Sequence, residues 1–381
     1  MPMSLSLKLA ATALTAALIL PVSAAYAADA KGYLESIHRH VTLTSTVKDN
    51  GDLNPYALVV APVSAGTIHQ GDVLVDNFND ISNLQGTGTT IVDYNPTTKE
   101  TTLFAKLPRN LTGCPGGVGL TTAMTMLKSG WIIVGSTPST DGTTKTKGNG
   151  CLIVLDSKGQ FTSTITGPHI NGPWGNIVSV DNGTAASIFV SNAGDVPSPD
   201  QLNAQGYPVV TTSATVVRLD LSVAEGKAPV VKSQTVIADN LSAQANRDAF
   251  LVGPTGLAFS RDAETLYITD SVNNSIRAIA DAVSRSDSAG TGREITKDGL
   301  MKRPLAMAMA PNGHLLVCNA LNGQVVEIDP VAGTQIYAQW IDNDAAQSPP
   351  GNGDLFGIAM APDGSGFYYV EDDMNTLVKA E

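Results

Sequence analysis

The chain carries one short unit that recurs six times, and this repeat limits the possible folds more than any other feature. In its clearest copy, Pro254-Thr255-Gly256 opens an apolar strand at residues 257–259, and a polar turn leads to a second strand at 265–269. The spacing from Pro254 to Pro304 is 50 residues, and the spacing from Pro304 to Asp354 is again 50. Four short antiparallel strands at this period make one blade, so six copies predict an all-β fold, a six-bladed β-propeller.

Each copy begins with an apolar strand, and five of the six opening strands carry proline at the same place. The sixth copy has Asp354 there. Small residues follow the proline, as expected where the innermost strands crowd a central channel. The opening strands are predicted at residues 54–60, 114–120, 172–178, 253–259, 303–309 and 353–359. The outer, fourth strands are weaker in pattern, for example at residues 101–107 and 235–238.

The last copy ends one strand short, because the sequence stops at Glu381 after three predicted strands. Near the other end, residues 40–47 alternate apolar and polar side chains at period two, as a strand does, yet belong to no copy of the repeat. We therefore predict that this N-terminal strand completes the sixth blade and closes the ring.

The first 27 residues have the composition of an export signal. Lys8 precedes an apolar run at residues 9–20, Pro21 follows it, and Ala25-Tyr26-Ala27 fits an A-x-A cleavage site. The run is too short to span a bilayer. We expect residues 1–27 to be removed as a signal peptide and residues 28–381 to form a single propeller domain in the periplasm or outside the cell.

Charge and cysteine content agree with that compartment. The formal net charge is −12, or −13 without Lys8, which disfavours nucleic acid and anionic membranes as partners. Cys114 and Cys151 both fall in the second copy, and an oxidising compartment would allow them to form a disulfide. The third cysteine, Cys318, lies in an apolar strand and is expected in the core.

The runs G-P-T-G-L-A-F-S-R-D and L-Y-I-T-D-S-V-N-N-S-I resemble an NHL-type repeat. The resemblance implies a six-bladed propeller, related in fold to the regucalcin/gluconolactonase and streptogramin-lyase families. It also implies a divalent-metal site of the gluconolactonase kind, with a Glu at an inner strand and Asn and Asp from other blades. This chain departs from that pattern, since Asn54-Pro55-Tyr56 lacks the Glu and Thr255 stands where those proteins carry Asn.

The loops at one face of such a propeller are long here, and the second strands end at that face in polar residues. Asp and Asn oxygens that converge on a channel mouth are ligands that Ca²⁺ or another hard divalent cation prefers. The predicted metal ligands are Asn192, Asp270, Asn319 and Asp372. The alternative is that each of these residues bonds the backbone of its own hairpin.

Two further groups complete the predicted site on the loop-rich face. We place Asn77, Ser136 and Asn176 in contact with a ligand, and His169 enters the third blade on that face as the candidate for acid–base catalysis. There is no Ser-His-Asp spacing, zinc pattern or phosphate-binding glycine loop.

The predicted function is binding of a small molecule or divalent metal at the loop-rich face, with lactonase-like or lyase-like hydrolase activity, by a monomer. The alternative is a non-catalytic propeller that binds a protein partner. A deep pocket favours the first function, whereas a flat face with exposed aromatic residues such as Trp174, Tyr207 and Phe356 favours the second.

Overall fold

A computed structural model describes residues 32–381, and these form six antiparallel sheets. After a 3-10 helix (Tyr33–Ser36), the chain forms strand β1 (His40–Ser45) and then six sheets in succession. Blade 1 contains β2 (Leu53–Val60), β3 (Val73–Asn79), β4 (Thr90–Asn95) and β5 (Glu100–Lys106). Blade 2 contains β6 (Leu120–Met126), β7 (Ile132–Ser136), β8 (Cys151–Leu155) and β9 (Phe161–Ile165), with a 3-10 helix (Thr144–Thr146) in its β7–β8 hairpin. Blade 3 contains β10 (Val178–Asp181), β11 (Ala185–Asn192), β12 (Val210–Ala224), β13 (Lys227–Ala245) and β14 (Leu251–Val252).

The second half of the ring is more regular. Blade 4 contains β15 (Leu257–Phe259), β16 (Thr265–Asp270), β17 (Ser275–Ala280) and β18 (Arg293–Lys297). Blade 5 contains β19 (Pro304–Met309), β20 (Leu315–Asn319), β21 (Gln324–Asp329) and β22 (Thr334–Trp340). Blade 6 contains β23 (Leu355–Met360), β24 (Phe367–Glu371) and β25 (Thr376–Ala380). No helix in residues 32–381 is long and apolar enough to cross a membrane. The predicted signal peptide lies outside the described residues.

The N-terminal strand closes the ring, as predicted. Strand β1 pairs antiparallel with β25, so that His40 lies opposite Ala380 and Ser45 lies opposite Thr376. The sixth sheet then has the strand order β1-β25-β24-β23, with four strands like blades 1, 2, 4 and 5. The N-terminal strand therefore supplies the outer strand that the last copy of the repeat lacks.

Two predicted opening strands are displaced in the structure. In blade 2 the prediction placed a strand at residues 114–120, but β6 begins at Leu120, where that range ends. Gly116 and Gly117 turn the chain there with φ of 91° and 96°, values that exclude an extended strand. In blade 3 the backbone N–H of Asn176 donates to the Thr255 carbonyl of blade 4 at 2.9 Å. That bond joins this segment to the neighbouring blade rather than to its own second strand.

Blade 3 also extends much further than predicted. Strand β13 contains 19 residues, whereas the pattern indicated only residues 235–238, and its partner β12 contains 15. Polar and apolar residues alternate well beyond those limits, and Gly226, with φ of 65°, allows the tight turn that joins the two strands. The short strand β14 then adds a fifth strand to this sheet alone.

The core consists of aliphatic layers between adjacent blades. Leu74 and Ile91 of blade 1, for example, belong to one buried cluster with Leu120, Met124 and Val134 of blade 2. Each sheet is thereby covered on both faces, which explains why the middle strands are apolar runs. Because the sheets are packed on both faces, binding sites are expected at the two ends of the channel and in the loops around them.

The predicted disulfide is confirmed. Cys114 lies in the turn before β6, Cys151 begins β8, and their Cα atoms are 5.1 Å apart. The turn at residues 111–117 thus bends inward far enough to bring two non-adjacent segments of blade 2 within bonding distance. Cys318 is buried and free, as expected.

Candidate functional site

The central channel has two unlike ends. At the carboxyl ends of the inner strands lies an open, mostly apolar cavity of about 530 Å³, whose wall includes Val60, Met126, Phe259 and Met309. At the other end lie the starts of the inner strands and the long hairpins of the loop face. Because the predicted site residues were placed on the loop face, the geometry of that face decides what they can do.

An aromatic cluster fills the channel beneath the loop face. Tyr56 stacks between Phe78 and Phe356, with ring centroids 4.3 and 3.9 Å away. Trp174 packs edge-on against Phe78 at 5.6 Å and lies 5.9 Å from Phe250. All five rings are buried. The place where oxygen ligands from several blades were expected to converge is therefore packed with apolar side chains.

Two of the predicted metal ligands clamp the segments that precede their inner strands. The Oδ1 atom of Asn192 accepts from the Asn171 backbone N–H at 3.1 Å. The Oδ1 atom of Asn319 accepts from the Lys302 backbone N–H at 2.8 Å, and its Nδ2 donates to the Leu300 carbonyl at 3.1 Å. Both side chains are buried. These bonds reach the segment before the inner strand of the same blade, so neither side chain bonds the backbone of its own hairpin as the alternative expected.

The other two predicted ligands are carboxylates in different surroundings. Both oxygens of Asp270 accept from the Asn273 side-chain amide, at 3.0 and 2.9 Å, and Arg277 Nε lies 3.4 Å from its Oδ2. The Oδ1 atom of Asp372 is buried without a hydrogen-bond partner, and burial raises the pKa of this carboxyl to about 7, although Asn54 opposes the shift. Only Asp372 among the four retains a free buried oxygen.

The channel mouth does not fit the divalent cation that the gluconolactonase resemblance implies. A hard cation needs about six to eight oxygen ligands that face one point. Here the oxygens of Asn192, Asp270 and Asn319 are engaged by neighbouring amides, and Tyr56 and Trp174 occupy the channel. No step of a reaction is assigned to a metal at this place.

The predicted ligand-binding residues do not meet on the loop face. Asn77 and Ser136 are buried: Asn77 Nδ2 donates to the Thr46 carbonyl at 3.0 Å, and Ser136 Oγ accepts from the Gly119 N–H at the same distance. Asn176 Oδ1 accepts from the Leu257 N–H at 2.7 Å, and its Nδ2 donates to the Leu257 carbonyl at 2.8 Å. Asn176 also lines the cavity at the opposite end of the channel. In this structure all three join parts of the propeller together.

His169 lies on the loop face, as predicted, but away from the channel. Its exposed imidazole borders a shallow polar cavity of about 160 Å³ between blades 2 and 3. Asn192 and Asp195 also border this cavity. Neither predicted carboxylate ligand, Asp270 or Asp372, lines it, so the structure does not bring the predicted base and the predicted carboxylates together.

A better-formed pocket lies on the loop face, above the aromatic cluster, where residues from five blades meet. Its volume is about 190 Å³. Trp174 and Phe356 contribute its aromatic surface, and Leu251, Leu305 and Leu321 contribute aliphatic surface. The remaining lining residues are Thr122, Asn246, Asp248, Ala249, Val252, Thr255, Arg303, Ala320, Asn352 and Gly353. An apolar pocket with a few polar groups is the usual form of a small-molecule site.

Arg303 is the distinctive polar group of this pocket. Its side chain is half-buried, and no acceptor among residues 32–381 forms a hydrogen bond or a close ion pair with its guanidinium. Burial lowers the pKa of Arg303, and Asp248 across the pocket opposes that shift. A partly desolvated guanidinium without a partner favours an anionic or strongly polar ligand oxygen.

The backbone at Arg303 is held in the left-handed region. Its φ is 59°, and its N–H donates to the Asn274 side chain at 2.9 Å. The equivalent positions before the inner strands of blades 1, 3 and 6 are Asn54, Gly172 and Gly353, with φ of 61°, 66° and 100°. Asn and Gly adopt this conformation at the lowest cost, and at Arg303, as at Lys99 and Phe250, the surrounding structure holds a long side chain in it. An Arg at a position where four of the other five copies carry Asn or Gly, and blade 2 carries Cys114, was the sequence signal for this residue, and it was missed.

The comparisons with known proteins agree with the fold. Residues 222–340 match the family described as the SMP-30/Gluconolactonase/LRE-like region, and the match covers less than a third of the chain. No curated protein sequence matches the chain at a significant level.

Solved structures extend the agreement over most of the chain. A gluconolactonase from Xanthomonas campestris is 12% identical, with a TM-score of 0.54 over 90% of this chain and 89% of that chain. A luciferin-regenerating enzyme is 12% identical, with a TM-score of 0.55 over 90% and 94%. The calcium-binding protein regucalcin from Agrobacterium tumefaciens is 13% identical, with a TM-score of 0.52 over 90% and 93%. The chain shares their six-bladed propeller fold. At this identity the likeness concerns fold and leaves activity to be argued from the site.

Proposed function

We propose that the protein is exported and binds a small carboxylate or lactone with an apolar body in the loop-face pocket. The observation that carries the proposal is the unpartnered, half-buried guanidinium of Arg303 in a pocket lined by Trp174, Phe356 and Leu305. Export is supported by the signal-like residues 1–27 and by the Cys114–Cys151 disulfide, since such bonds persist in oxidising compartments.

The chemistry of the pocket favours one class of ligand. A guanidinium binds a carboxylate through two parallel N–H···O bonds, and low local polarity strengthens them. Trp174 and Phe356 offer apolar surface to the rest of the ligand. Asp248, at the exposed rim, disfavours a second negative charge on that side. The best ligand on these grounds is a monoanion with a compact apolar or mixed body.

A lactonase-like reaction is the finer form of the proposal. Two-thirds of the residues that line the pocket fall within residues 222–340, the part of the chain that resembles the gluconolactonase family. Opening a lactone converts a ring ester into a hydroxy acid. Arg303 would polarise the ester carbonyl in the substrate and hold the carboxylate of the product. This chemistry uses the pocket and requires no cation in the channel.

The alternative, a protein-binding propeller, has one specific observation in its favour. Several large apolar side chains are exposed on the loop-face hairpins that join the second and third strands of the blades, among them Ile81, Leu202, Tyr207 and Met374. Exposed apolar groups on one face indicate a contact surface when they form a patch. However, Trp174 and Phe356, the other aromatics expected on such a surface, are 2% and 5% exposed and face the pocket. The pocket is therefore the preferred site.

Substitution of Arg303 by Asn tests the proposal, because Asn54 occupies the equivalent left-handed position in blade 1 without strain. The probes are sugar lactones, alkyl-substituted lactones and their hydroxy acids, with calorimetry for binding and pH-stat titration for ring opening. Loss of a charge-assisted pair of bonds should weaken hydroxy-acid binding about tenfold to a hundredfold.

The matched control is the adjacent, exposed Lys302, whose ammonium bonds the Gly299 carbonyl. Lys302→Ala should leave affinity within about twofold. If no carboxylate or lactone binds, or if Arg303→Asn binds as well as the unmodified protein, the proposed function is wrong. Binding without ring opening would retain the ligand class and exclude the lactonase form.

A further inference from the structure

Three aspartates from three separate segments meet at the edge of the loop face between blades 5 and 6. Asp342 follows strand β22, Asp354 immediately precedes β23, and Asp373 lies in the turn between β24 and β25. One carboxylate oxygen from each lies within 4.8 Å of an oxygen from both others. Among residues 32–381 this is the one group of three acidic, histidine or cysteine side chains that is so close.

Asp354 shows that this group is more than an exposed acidic patch. Its side chain is only 4% exposed, and its Oδ2 atom is buried without any hydrogen-bond partner in the described part of the chain. A buried, unpartnered carboxylate oxygen carries a desolvation cost that a ligand would offset. No Lys or Arg of residues 32–381 forms an ion pair with Asp342, Asp354 or Asp373.

Gln347 adds a neutral oxygen beside the three carboxylates. Its Nε2 lies 3.4 Å from Asp373 Oδ2, so the side chain reaches the group, and its Oε1 is buried without a partner. Amide oxygens complete the coordination of hard cations alongside carboxylates in many proteins. Two unpaired buried oxygens, from Gln347 and Asp354, thus border the same group.

The segment that carries Asp342 and Gln347 is held to blade 5 by backbone bonds. The Ile341 and Asp342 N–H groups both donate to the Gly323 carbonyl, at 2.8 and 3.0 Å, and the Gly323 N–H donates to Pro350 at 2.9 Å. A Cβ at Gly323 would lie 1.8 Å from the Asp342 carbonyl oxygen, so this contact requires glycine. The three carboxylates are therefore brought together by the fold and not by chance at mobile tips.

We propose that Asp342, Asp354 and Asp373 form a calcium site between blades 5 and 6, with Gln347 as a further oxygen ligand. The donor set contains only hard oxygens, which excludes a preference for zinc or copper. Calcium suits it better than magnesium, because Ca²⁺ accepts six to eight oxygens in irregular geometry and Mg²⁺ requires a near-ideal octahedron. Ionised carboxylates at this separation repel one another, and a bound divalent cation offsets that repulsion.

This site differs from the channel-mouth ring predicted from the sequence, although Asp372 is adjacent to Asp373 in the chain. Its expected effect is structural. Residues 342–353 connect β22 to β23, and Asn352 and Gly353 at the end of this segment line the Arg303 pocket. Calcium would tie the segment to both blades and hold that wall of the pocket in place. The inference does not depend on which ligand the pocket binds.

The test is calorimetric titration of the chelator-treated, full-length mature protein with CaCl₂ and, separately, MgCl₂. One Ca²⁺ per chain should bind, at least tenfold more tightly than Mg²⁺. Asp354→Asn keeps the shape of the side chain and removes its charge, so it should weaken Ca²⁺ binding at least tenfold. Asp363→Asn is the matched control, because Asp363 is an exposed turn residue at the other end of the propeller that bonds only Ser365.

Asp373→Asn is a second variant for the case in which Asp354→Asn does not fold, because Asp373 is exposed. It should also weaken Ca²⁺ binding at least tenfold while the circular dichroism spectrum remains unchanged. The proposal is overturned if the unmodified protein binds no Ca²⁺, or if a folded Asp354→Asn or Asp373→Asn variant binds within twofold of it. The Arg303→Asn variant should bind Ca²⁺ normally. The calcium result is therefore independent of whether the Arg303 pocket binds the proposed ligand.

Discussion

Polar side chains differ in their hydrogen-bond partners between the centre of the loop face and its edge at blades 5 and 6. At the centre, Asn192, Asp270 and Asn319 form hydrogen bonds with nearby backbone or amide groups, and aromatic rings fill the channel below them. At the edge, the Asp354 Oδ2 atom is buried and has no hydrogen-bond partner among the described residues. Polar residue types occur in both regions, and among the four predicted ligands at the centre only Asp372 keeps a buried oxygen without a partner in residues 32–381.

This difference shows that residue type and register do not by themselves identify a site in a repeat protein. Asn192 and Asn319 occupy the same place at the ends of their second strands because each bonds the segment in front of the inner strand of its own blade. Residues that break the repeat are more informative. Arg303 stands where four of the other five blades carry Asn or Gly, and Asp354 stands where the other blades carry Pro.

The largest expected effect concerns the packed centre. Tyr56→Ala removes a ring that is stacked on both faces, and should lower the free energy of unfolding by about 3–5 kcal/mol. Urea denaturation followed by fluorescence measures it. Tyr207→Ala is the control, because Tyr207 is 68% exposed and should change stability by about 0.5 kcal/mol or less. A loss below about 1 kcal/mol for Tyr56→Ala would show that the channel mouth is open rather than packed.

A smaller effect separates structural from ligand-binding carboxylates. Asp270→Asn removes the charge that faces Arg277 and one of the acceptors of Asn273, and should cost about 1–3 kcal/mol of unfolding free energy. Arg277 retains Glu294 at 3.3 Å, which limits the loss. Calcium affinity should be unchanged. If Asp270→Asn had normal stability but no longer bound Ca²⁺, the metal site would lie at the channel mouth instead.

The smallest effect is a pH dependence in blade 1, where charge crowding involves two carboxyls rather than three. Burial, and then the neighbouring Asp72, raises the pKa of Asp93 to about 7, while His69 opposes the shift. A folded-state pKa above the ordinary value of 3.8 means that Asp93 holds its proton longer in the folded than in the unfolded protein. Its contribution to stability is complete below about pH 4 and is lost as the pH rises through about 7.

Asp93→Asn should therefore flatten the decline in melting temperature between pH 4.5 and 8, measured in a chelating buffer. Only two carboxyls, Asp72 and Asp93, meet in blade 1. Added Ca²⁺ should therefore leave the slope of melting temperature against pH unchanged. An identical pH profile for Asp93→Asn and the unmodified protein would contradict the assigned shift.

The fold could be predicted from the sequence because it depends on patterns that repeat. Strand β16 lies at the predicted residues 265–269, and the unpaired strand near residue 40 completes the ring opposite β25. The prediction was wrong where glycine conformation or contacts between blades decide the backbone, as at Gly116 in blade 2 and Asn176 in blade 3. Those contacts connect residues about 80 positions apart, and no local pattern encodes them.

The candidate site was harder to predict for the same reason. Whether an Asp oxygen is free depends on which amide reaches it, and that depends on loop paths. Asn273 engages Asp270 within its own hairpin, while Asp354 faces Asp342 and Asp373 from two other segments. The disulfide was predictable because Cys114 and Cys151 lie in one blade and in one oxidising context.

The most direct test of the contrast between centre and edge is a crystal structure of the protein grown with CaCl₂, with anomalous scattering used to locate the ion. The account predicts a calcium peak between Asp342, Asp354 and Asp373, with oxygen ligands at about 2.3–2.6 Å. It also predicts an unchanged aromatic cluster around Tyr56. A peak among Asn192, Asp270, Asn319 and Asp372 at the channel mouth, or no ordered calcium at all, would contradict it.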